Sequence, residues 1–449
     1  MKASPFAAVI LAAGNGTRMN SSLPKVMHPL AGQPMILHLL ETLKALSPAL
    51  TVAVIGPGME RVAAALAPIE CVVQETARGT GDALRRAEAA LAPALAQKGA
   101  LEDVLVLMGD APLVEPASLS RLLAERARAA IVVAAMRPAD PGPYGRLVLA
   151  ADGTIERIVE ARDAAPEERA IPLVNGGVMA LPARPLFALL EKLRCENAKG
   201  EFYLTDIVAI ARREGLCAHA VALPAEELLG VNTRAELAEA ERVMQSRLRA
   251  RAMAKGATLV APETVYFSFD TVLERDAVVE PFVVFGPAVR VEEGARINAF
   301  SSLSAAVIGK GAKVGPFARL RGGVEIEEAA EIGNFVEAKA ARIGKGAKAK
   351  HLSYLGDSEI GERANIGAGT ITCNYDGFEK HRTVIGEGAF IGSNTALVAP
   401  LSVGAGAYVA AGSTLTEDVP ADALAIARAP QVAKPGRAAM LRARRGGKG

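Results

Sequence analysis

Cysteine and histidine are both scarce in this chain of 449 residues. The four cysteines, Cys71, Cys195, Cys217 and Cys373, stand far apart and none belongs to a CxxC pair. That spacing offers neither a disulfide framework nor a cysteine-built zinc site, and it fits a reducing cytoplasm. No apolar run is long enough to span a membrane, so no insertion is expected. Lys2 followed by Phe6-Ala-Ala-Val-Ile-Leu-Ala-Ala13 has the outline of a short signal peptide. But the run passes directly into Gly14-Asn-Gly-Thr-Arg18, and a buried first strand feeding a glycine loop accounts for both halves. Nor does one sign of charge dominate: the formal net charge is +2, with 22% charged and 51% hydrophobic residues, which excludes global disorder. The basic character sits at the end, in Lys434, Arg437, Arg442, Arg444, Arg445 and Lys448 with no acid among them, so the body is mildly acidic. Such a tail reads as a disordered, solvated end, and nucleic acid is not an expected partner.

What is present divides at mid-chain. Candidate strands at 8–11, 52–55, 71–74, 104–108, 131–135 and 174–179 alternate with helix-like stretches at 35–46, 61–67, 81–92 and 116–128. Strand–helix alternation predicts a mostly parallel sheet with helices on both faces, a fold that binds ligands beyond the carboxyl ends of its strands. Near Asn232 the texture changes. Thr233-Arg-Ala-Glu236 reads as a capping box opening a helix to about Ala254, the arm joining two domains.

After Gly256 a fixed period sets in. Ile385, Ile391, Leu397, Val403, Val409 and Leu415 are spaced six apart, as are Ile308, Val314, Leu320, Ile326 and Ile332, and earlier Val291, Ile297 and Leu303. A period of six fits neither a helix face nor strand alternation. It fits a β-solenoid in which each unit forms one flat side with one apolar side chain inward. The period breaks at 337–341 and 372–382, where insertions would become loops, often functional ones.

Leu11-Ala-Ala-Gly14-Asn-Gly16-Thr17-Arg18 follows an expected strand, and glycines there let backbone N–H groups approach phosphate. Arg18 and Lys25 can set positive charge against a triphosphate. No Gly-Lys-Ser/Thr follows, so the loop is not a Walker A loop. Met108-Gly-Asp110 ends another apolar strand, and an Asp at that place can hold Mg²⁺ or cap the next turn.

Leu11-Ala-Ala-Gly-x-Gly-Thr-Arg-Met19 with Leu23-Pro-Lys25 resembles the signature of sugar-1-phosphate nucleotidyltransferases. Gly79-Thr-Gly81, Met108-Gly-Asp110, Tyr144-Gly145, Ile158-Val-Glu160, Asn175-Gly-Gly177 and Gly230-Val-Asn232 follow in the family's order. With the hexapeptide half attached, nearly the whole chain resembles the bacterial family that joins N-acetylglucosamine-1-phosphate uridyltransferase to glucosamine-1-phosphate N-acetyltransferase. The resemblance implies an α/β Rossmann-like nucleotidyltransferase domain at 1–231, a helical arm at 232–255, a left-handed parallel β-helix at 256–433 and a basic tail at 434–449. It implies transfer of UMP from UTP to N-acetylglucosamine-1-phosphate. Leu11, Ala12, Ala13, Gly14, Gln74, Gly79 and Thr80 match nucleotide-holding positions. Gly145, Glu160 and Asn175 match sugar-holding ones, and Asp110 and Asn232 match magnesium ligands, Asn232 also meeting substrate. Arg18 and Lys25 would neutralise charge on the α-phosphate. After Gly79-Thr-Gly81 the family usually has His, and here Asp82 stands in its place.

In the second half His351 lies in Lys348-Ala-Lys-His-Leu-Ser-Tyr354. An isolated His is more often structural, yet Arg321, Glu337, Lys339, Asn365, Asn374 and Tyr375 add a polar set that a plain solenoid surface does not need. An amine must lose a proton before it is acetylated, and His suits that task near neutral pH. The resemblance implies that His351 is the base acting on glucosamine-1-phosphate for attack on acetyl-CoA. Arg321 and Lys339 match phosphate-holding positions, Tyr354 and Asn365 sugar contacts, and the Asn374-Tyr375 pair positions that meet the sugar and acetyl-CoA. Ala368, Ser393, Ala411 and Arg428 match further acetyl-CoA positions, while Cys373 is a bystander. The family also implies a homotrimer with acetyl-transfer sites between subunits. Three rivals remain open on residues alone. One is a single-activity nucleotidyltransferase with a regulatory solenoid, and another a non-catalytic scaffold. The third, a three-His zinc enzyme, is disfavoured because only His351 and His381 lie in this half.

Overall fold

The computed structural model describes residues 4–14, 16–97 and 99–445. The chain divides into two compact units, Met1–Arg247 and Leu248–Gly449.

In the first unit the central strand is Phe6–Ala12, flanked in parallel by Asp103–Met108 and Leu50–Ile55. Glu70–Val73 extends one edge. On the other side Val174–Pro182 runs antiparallel to both its neighbours, and Ile131–Met136 and Ala218–Ala222 complete the order. Arg146–Leu149 pairs antiparallel with Val174–Pro182 and with Ile155–Val159, so the sheet is mixed on this side. The period-two alternation explains why it is covered on both faces. Ala7, Val9 and Leu11 enter one core with Leu84, Leu91, Leu190 and Ile207, while Phe6, Ala8 and Ile10 enter another with Ile36, Leu39, Val62 and Leu119. Each expected strand is present within a few residues. The helix at Met35–Leu46 begins and ends as read. The stretch expected as one helix at 81–92 is two, Thr80–Arg86 and Glu88–Ala96, parted at Ala87, whose N–H turns to the carbonyls of Leu84 and Arg85. The capping box forms: Glu236 accepts from the Thr233 N–H at 2.8 Å and Thr233 Oγ1 accepts from the Glu236 N–H at 3.2 Å, opening the helix Arg234–Ala254.

The second unit is a left-handed parallel β-helix of three flat sides. Successive turns stack in parallel register, as in Val279↔Ile297, Ile297↔Val314 and Val314↔Ile332. The six-spaced residues are the buried ones: Ile308, Val314, Leu320, Ile326, Ile332, Ile385, Ile391, Leu397, Val403 and Val409 all point inward. The first break in period is not a loop. Glu337–Ile343 is a continuous strand that rounds a corner at Ala340, and buried Ala338 and Ile343 show a side shortened by one residue. The second break is a true insertion: Ile366 pairs with Ile391, so the chain between leaves the coil after Ile371–Cys373 and returns at Thr383–Ile385. Along one corner Phe282, Phe300, Phe317 and Phe335 stack with centroids 5.0, 5.0 and 5.1 Å apart. The tail expected to be disordered contains a helix, Arg437–Arg445, exposed where described, while residues 446–449 lie outside the described residues.

Candidate active sites

Two cavities of the first unit lie where the strand ends predict them. Phe6–Ala12 runs out into Ala13 and Gly14, and the chain turns at Gly16 with φ +60°. A Cβ at Gly16 would sit 2.5 Å from the Cβ of Lys25, so only glycine lets the loop close on that lysine. Leu11, Ala12, Ala13, Gly14, Lys25, Gln74, Gly79, Thr80 and Asp110 line one cavity of about 240 Å³. Nine sequence-selected positions thus converge. Arg18 does not join them: it lines a second cavity of about 520 Å³ with Tyr144, Glu160, Lys199, Tyr203 and Asn232.

Between these cavities lies a charged knot. The Lys25 ammonium pairs with Asp110 Oδ2 and donates to Asn232 Oδ1 at 3.0 Å. Two oxygens from distant segments thus already converge on one cation, a donor set that suits a hard metal ion completed by phosphates. Among the described residues no group of three or more His, Cys, Asp or Glu side chains forms a metal cluster.

Gly145 and Asn175 are brought to Glu160. The Asn175 N–H donates to the Gly145 carbonyl at 2.8 Å, and a Cβ at Gly145 would stand 3.4 Å from Glu160 Oε1. Thr205 Oγ1 donates to Glu160 at 2.9 Å. Burial raises the Glu160 carboxyl above its ordinary value, against that hydrogen bond. Burial also pushes Asp206 up to about 6, with Glu160 and Asp163 adding repulsion, and Tyr203 up to about 12. Sequence reading passed over this segment. Glu201 faces the first cavity while Lys199 and Tyr203 face the second. Phe202 anchors the segment, its ring under the guanidinium groups of Arg78 and Arg85 at 4.9 and 4.7 Å. The segment has no regular period, so composition gave no signal; the surrounding charges Lys199 and Glu201 were the only clue.

In the second unit the polar set assembles by coil stacking. Arg321 pairs in register with Lys339, and Lys339 with Gly356. Arg321 Nε donates to Glu337 at 2.8 Å. A Cβ on Gly356 would meet Tyr354 Oη at 2.5 Å and Asn374 Nδ2 at 2.7 Å, so those two side chains crowd the same glycine. His351 follows Asn334 by one turn, with Nδ1 2.7 Å from Asn334 Oδ1. Lys380, from the inserted loop, was missed: its ammonium beside Lys339 pushes that lysine below the usual value, with Arg321 adding to the effect. Arg321, Lys339 and Lys380 thus gather three cations in one place, with Glu337 paired to Arg321.

Asn365 follows Lys348 on the next turn of the His351 side. Beyond it runs a corner column. The Gly369 N–H donates to the His351 carbonyl at 3.4 Å, that of Asn394 to Ala368 at 2.7 Å, and that of Gly412 to Ser393 at 2.8 Å. A Cβ on Gly392 would meet Ala411 N at 2.4 Å, and one on Gly412 would meet Arg428 Cδ at 3.9 Å. Ala368, Ser393, Ala411 and Arg428 therefore occupy successive rungs of one edge. Tyr375 is exposed, its hydroxyl donating to the Gly377 carbonyl at 2.7 Å.

Residues 8–204 match the MobA-like NTP transferase domain. A protein of Paramagnetospirillum magneticum named bifunctional protein GlmU is 52% identical over 100% of this chain and 99% of its own length. Proteins of the same name from Sphingopyxis alaskensis and Rhodospirillum rubrum are 54% and 56% identical, covering 96% and 97% of this chain and 95% and 97% of theirs. A solved UDP-glucose pyrophosphorylase complexed with UDP-glucose has a TM-score of 0.44 at 18% identity over 54% of this chain and 99% of that one, too distant a likeness to carry an argument.

Proposed function

The chain belongs to the family of bifunctional GlmU proteins, and on that premise we propose how its two units divide the synthesis of UDP-N-acetylglucosamine. It is a bifunctional transferase: an acetyl group passes from acetyl-CoA to glucosamine-1-phosphate, and UMP then passes from UTP to N-acetylglucosamine-1-phosphate, releasing pyrophosphate. We assign acetyl transfer to residues 256–433 and uridyl transfer to residues 1–231.

For the first reaction, Arg321, Lys339 and Lys380 bind the sugar phosphate, and Tyr354, Asn365 and Asn374 orient the ring. His351 Nε2 takes a proton from the sugar ammonium. The freed amine nitrogen attacks the thioester carbonyl, the C–S bond breaks, and the departing CoA sulfur takes the second proton from the nitrogen and leaves as the thiol. Acetyl-CoA lies along the edge of Ala368, Ser393, Ala411 and Arg428. Four rungs, three intervals at a strand spacing of ~4.8 Å, offer a rail of roughly 14 Å, suited to an extended acyl-carrier arm.

For the second reaction, the attacking sugar phosphate is already anionic, so no base is needed. Its oxygen attacks the α-phosphorus of UTP as the bond to pyrophosphate breaks. Lys25 and Arg18 hold negative charge in line, and Gly145, Glu160 and Asn175 hold the sugar. Mg²⁺ held by Asp110 and Asn232 would supply charge neutralisation at the phosphates. No described helix is long and apolar enough to cross a membrane. We further propose a cytoplasmic homotrimer acting on these small molecules.

The observation that carries this reading is that two separate polar clusters stand in a chain matched along its length by bifunctional relatives. It is tested with glucosamine-1-phosphate, acetyl-CoA, UTP and Mg²⁺. His351→Ala should stall unless N-acetylglucosamine-1-phosphate is supplied, and Asp110→Ala should accumulate that intermediate. Release of pyrophosphate without free CoA thiol from the intact chain would favour the regulatory-solenoid alternative.

A further inference from the structure

Gln74, one of the nucleotide-holding positions, is paired with Asp82, a residue that the reaction described above does not use. The Gln74 side chain lines the first cavity, and its amide nitrogen donates twice, to Asp82 Oδ2 at 2.8 Å and to the Gly79 carbonyl at 3.1 Å. Asp82 is 4% exposed, in the first turn of the helix Thr80–Arg86, with Arg86 Nη2 3.4 Å from its other oxygen. Both partners of the amide are acceptors without a proton to give. A carboxylate and a carbonyl can only receive, so the Gln74 side chain cannot turn over: the reversed amide would set its oxygen against both of them. Gln74 Oε1 has no hydrogen-bond partner among the described residues and is not among the fully enclosed polar atoms, so it is the atom left to meet a ligand.

We propose that Asp82 is a positioning residue that locks Gln74 as a hydrogen-bond acceptor and thereby makes the cavity select a pyrimidine bearing a ring N–H over one bearing a ring lone pair. This rests on the reading of that cavity as the nucleotide site. The N3–H of uracil donates to Oε1. Cytosine presents a lone pair at N3, and two acceptors would then face each other with no amide flip available to relieve them. Specificity here comes from a repulsive element as much as from an attractive one. The Gly79 carbonyl opposes the flip at 3.1 Å and the carboxylate, nearer at 2.8 Å and charged, opposes it more strongly, whereas an amide at position 82 could itself rotate and offer a donor.

The test measures kcat/KM for UTP and for CTP with N-acetylglucosamine-1-phosphate in the full-length protein, Asp82→Asn and Asp82→Ala. The expected result is that the UTP-over-CTP preference falls by about tenfold or more in both variants, since a mismatched buried acceptor is no longer enforced. The change should appear mainly as improved KM for CTP. If both variants lose activity toward UTP and CTP by one common factor, Asp82 only supports the helix and the proposal is overturned. Should Asp82→Asn not fold, the Asp82→Ala ratio decides alone, a wild-type ratio overturning the proposal. A wild-type protein that transfers no UMP from UTP would instead overturn the nucleotide-site reading itself.

Discussion

His351 Nδ1 stands 2.7 Å from the side-chain oxygen of Asn334, its register partner one turn earlier in the coil. An amide oxygen accepts, so Nδ1 carries the proton and Nε2 keeps its lone pair, which is the form a general base needs. Asn334→Ala is therefore expected to lower kcat for acetyl transfer by about tenfold to a hundredfold and to leave UMP transfer unchanged. Asn334→Asp should move the acidic limb of the acetyl-transfer pH profile upward, because a carboxylate at that distance favours the imidazolium. A pH–rate series on the three proteins checks both, and an unmoved limb in Asn334→Asp would sink the assignment.

Lys380 comes from the inserted loop and presses Lys339 below its usual value. Lys380→Ala should raise the KM for glucosamine-1-phosphate by about tenfold through loss of a charge-assisted contact, with kcat little changed. It should also shift the alkaline loss of affinity to higher pH, since Lys339 then keeps its proton longer. Binding titrations across the alkaline range would read this out.

The contact at Gly16 makes a separable lesion. With φ +60° and a Cβ position 2.5 Å from Lys25, Gly16→Ala must displace the loop or the lysine. UMP transfer should fall by at least about tenfold, while acetyl transfer from the same preparation stays at the wild-type rate. Equal loss in both assays would mean that the substitution harms folding instead.

Asp206 links stability to pH. Its folded value of about 6 lies above the ordinary 3.8, chiefly from burial. Between those values the folded state holds the proton more firmly, so stability falls as pH rises through the window. The side chain makes no capping hydrogen bond that Asn would forfeit. Asp206→Asn should therefore melt higher than the wild type at about pH 8 and match it near pH 4, as thermal unfolding at both pH values would reveal.

Much of the architecture was legible because periodicity is a local property. A run such as Phe6–Ala12 declares itself through its apolar content, and Ile308, Val314 and Leu320 through their spacing. The reversed strand Val174–Pro182 was not legible, since direction is set by how connections cross the sheet and leaves no mark on composition. The strand at Glu337–Ile343 misled because a side shortened by one residue breaks the count without breaking the hydrogen bonding. Glycine-flanked motifs delivered the first cavity almost whole. Lys199, Glu201, Tyr203 and Lys380 escaped because each acts from irregular chain whose position depends on contacts such as Phe202 against Arg78.

The inserted loop has a consequence for how such a chain can change over generations. Because Ile366 and Ile391 still stack face to face, the extra residues between them add nothing to the pitch of the coil. A side caught between the rungs before and after it has little room to change, and the one ending at Ile343 differs from its neighbour by a single residue. Novelty in length can therefore enter at a corner such as this one, where residues can be gained, lost or exchanged while the neighbouring rungs stay in register. The coil is conservative by mechanics, and its capacity for new chemistry is confined to the places where it lets the chain out.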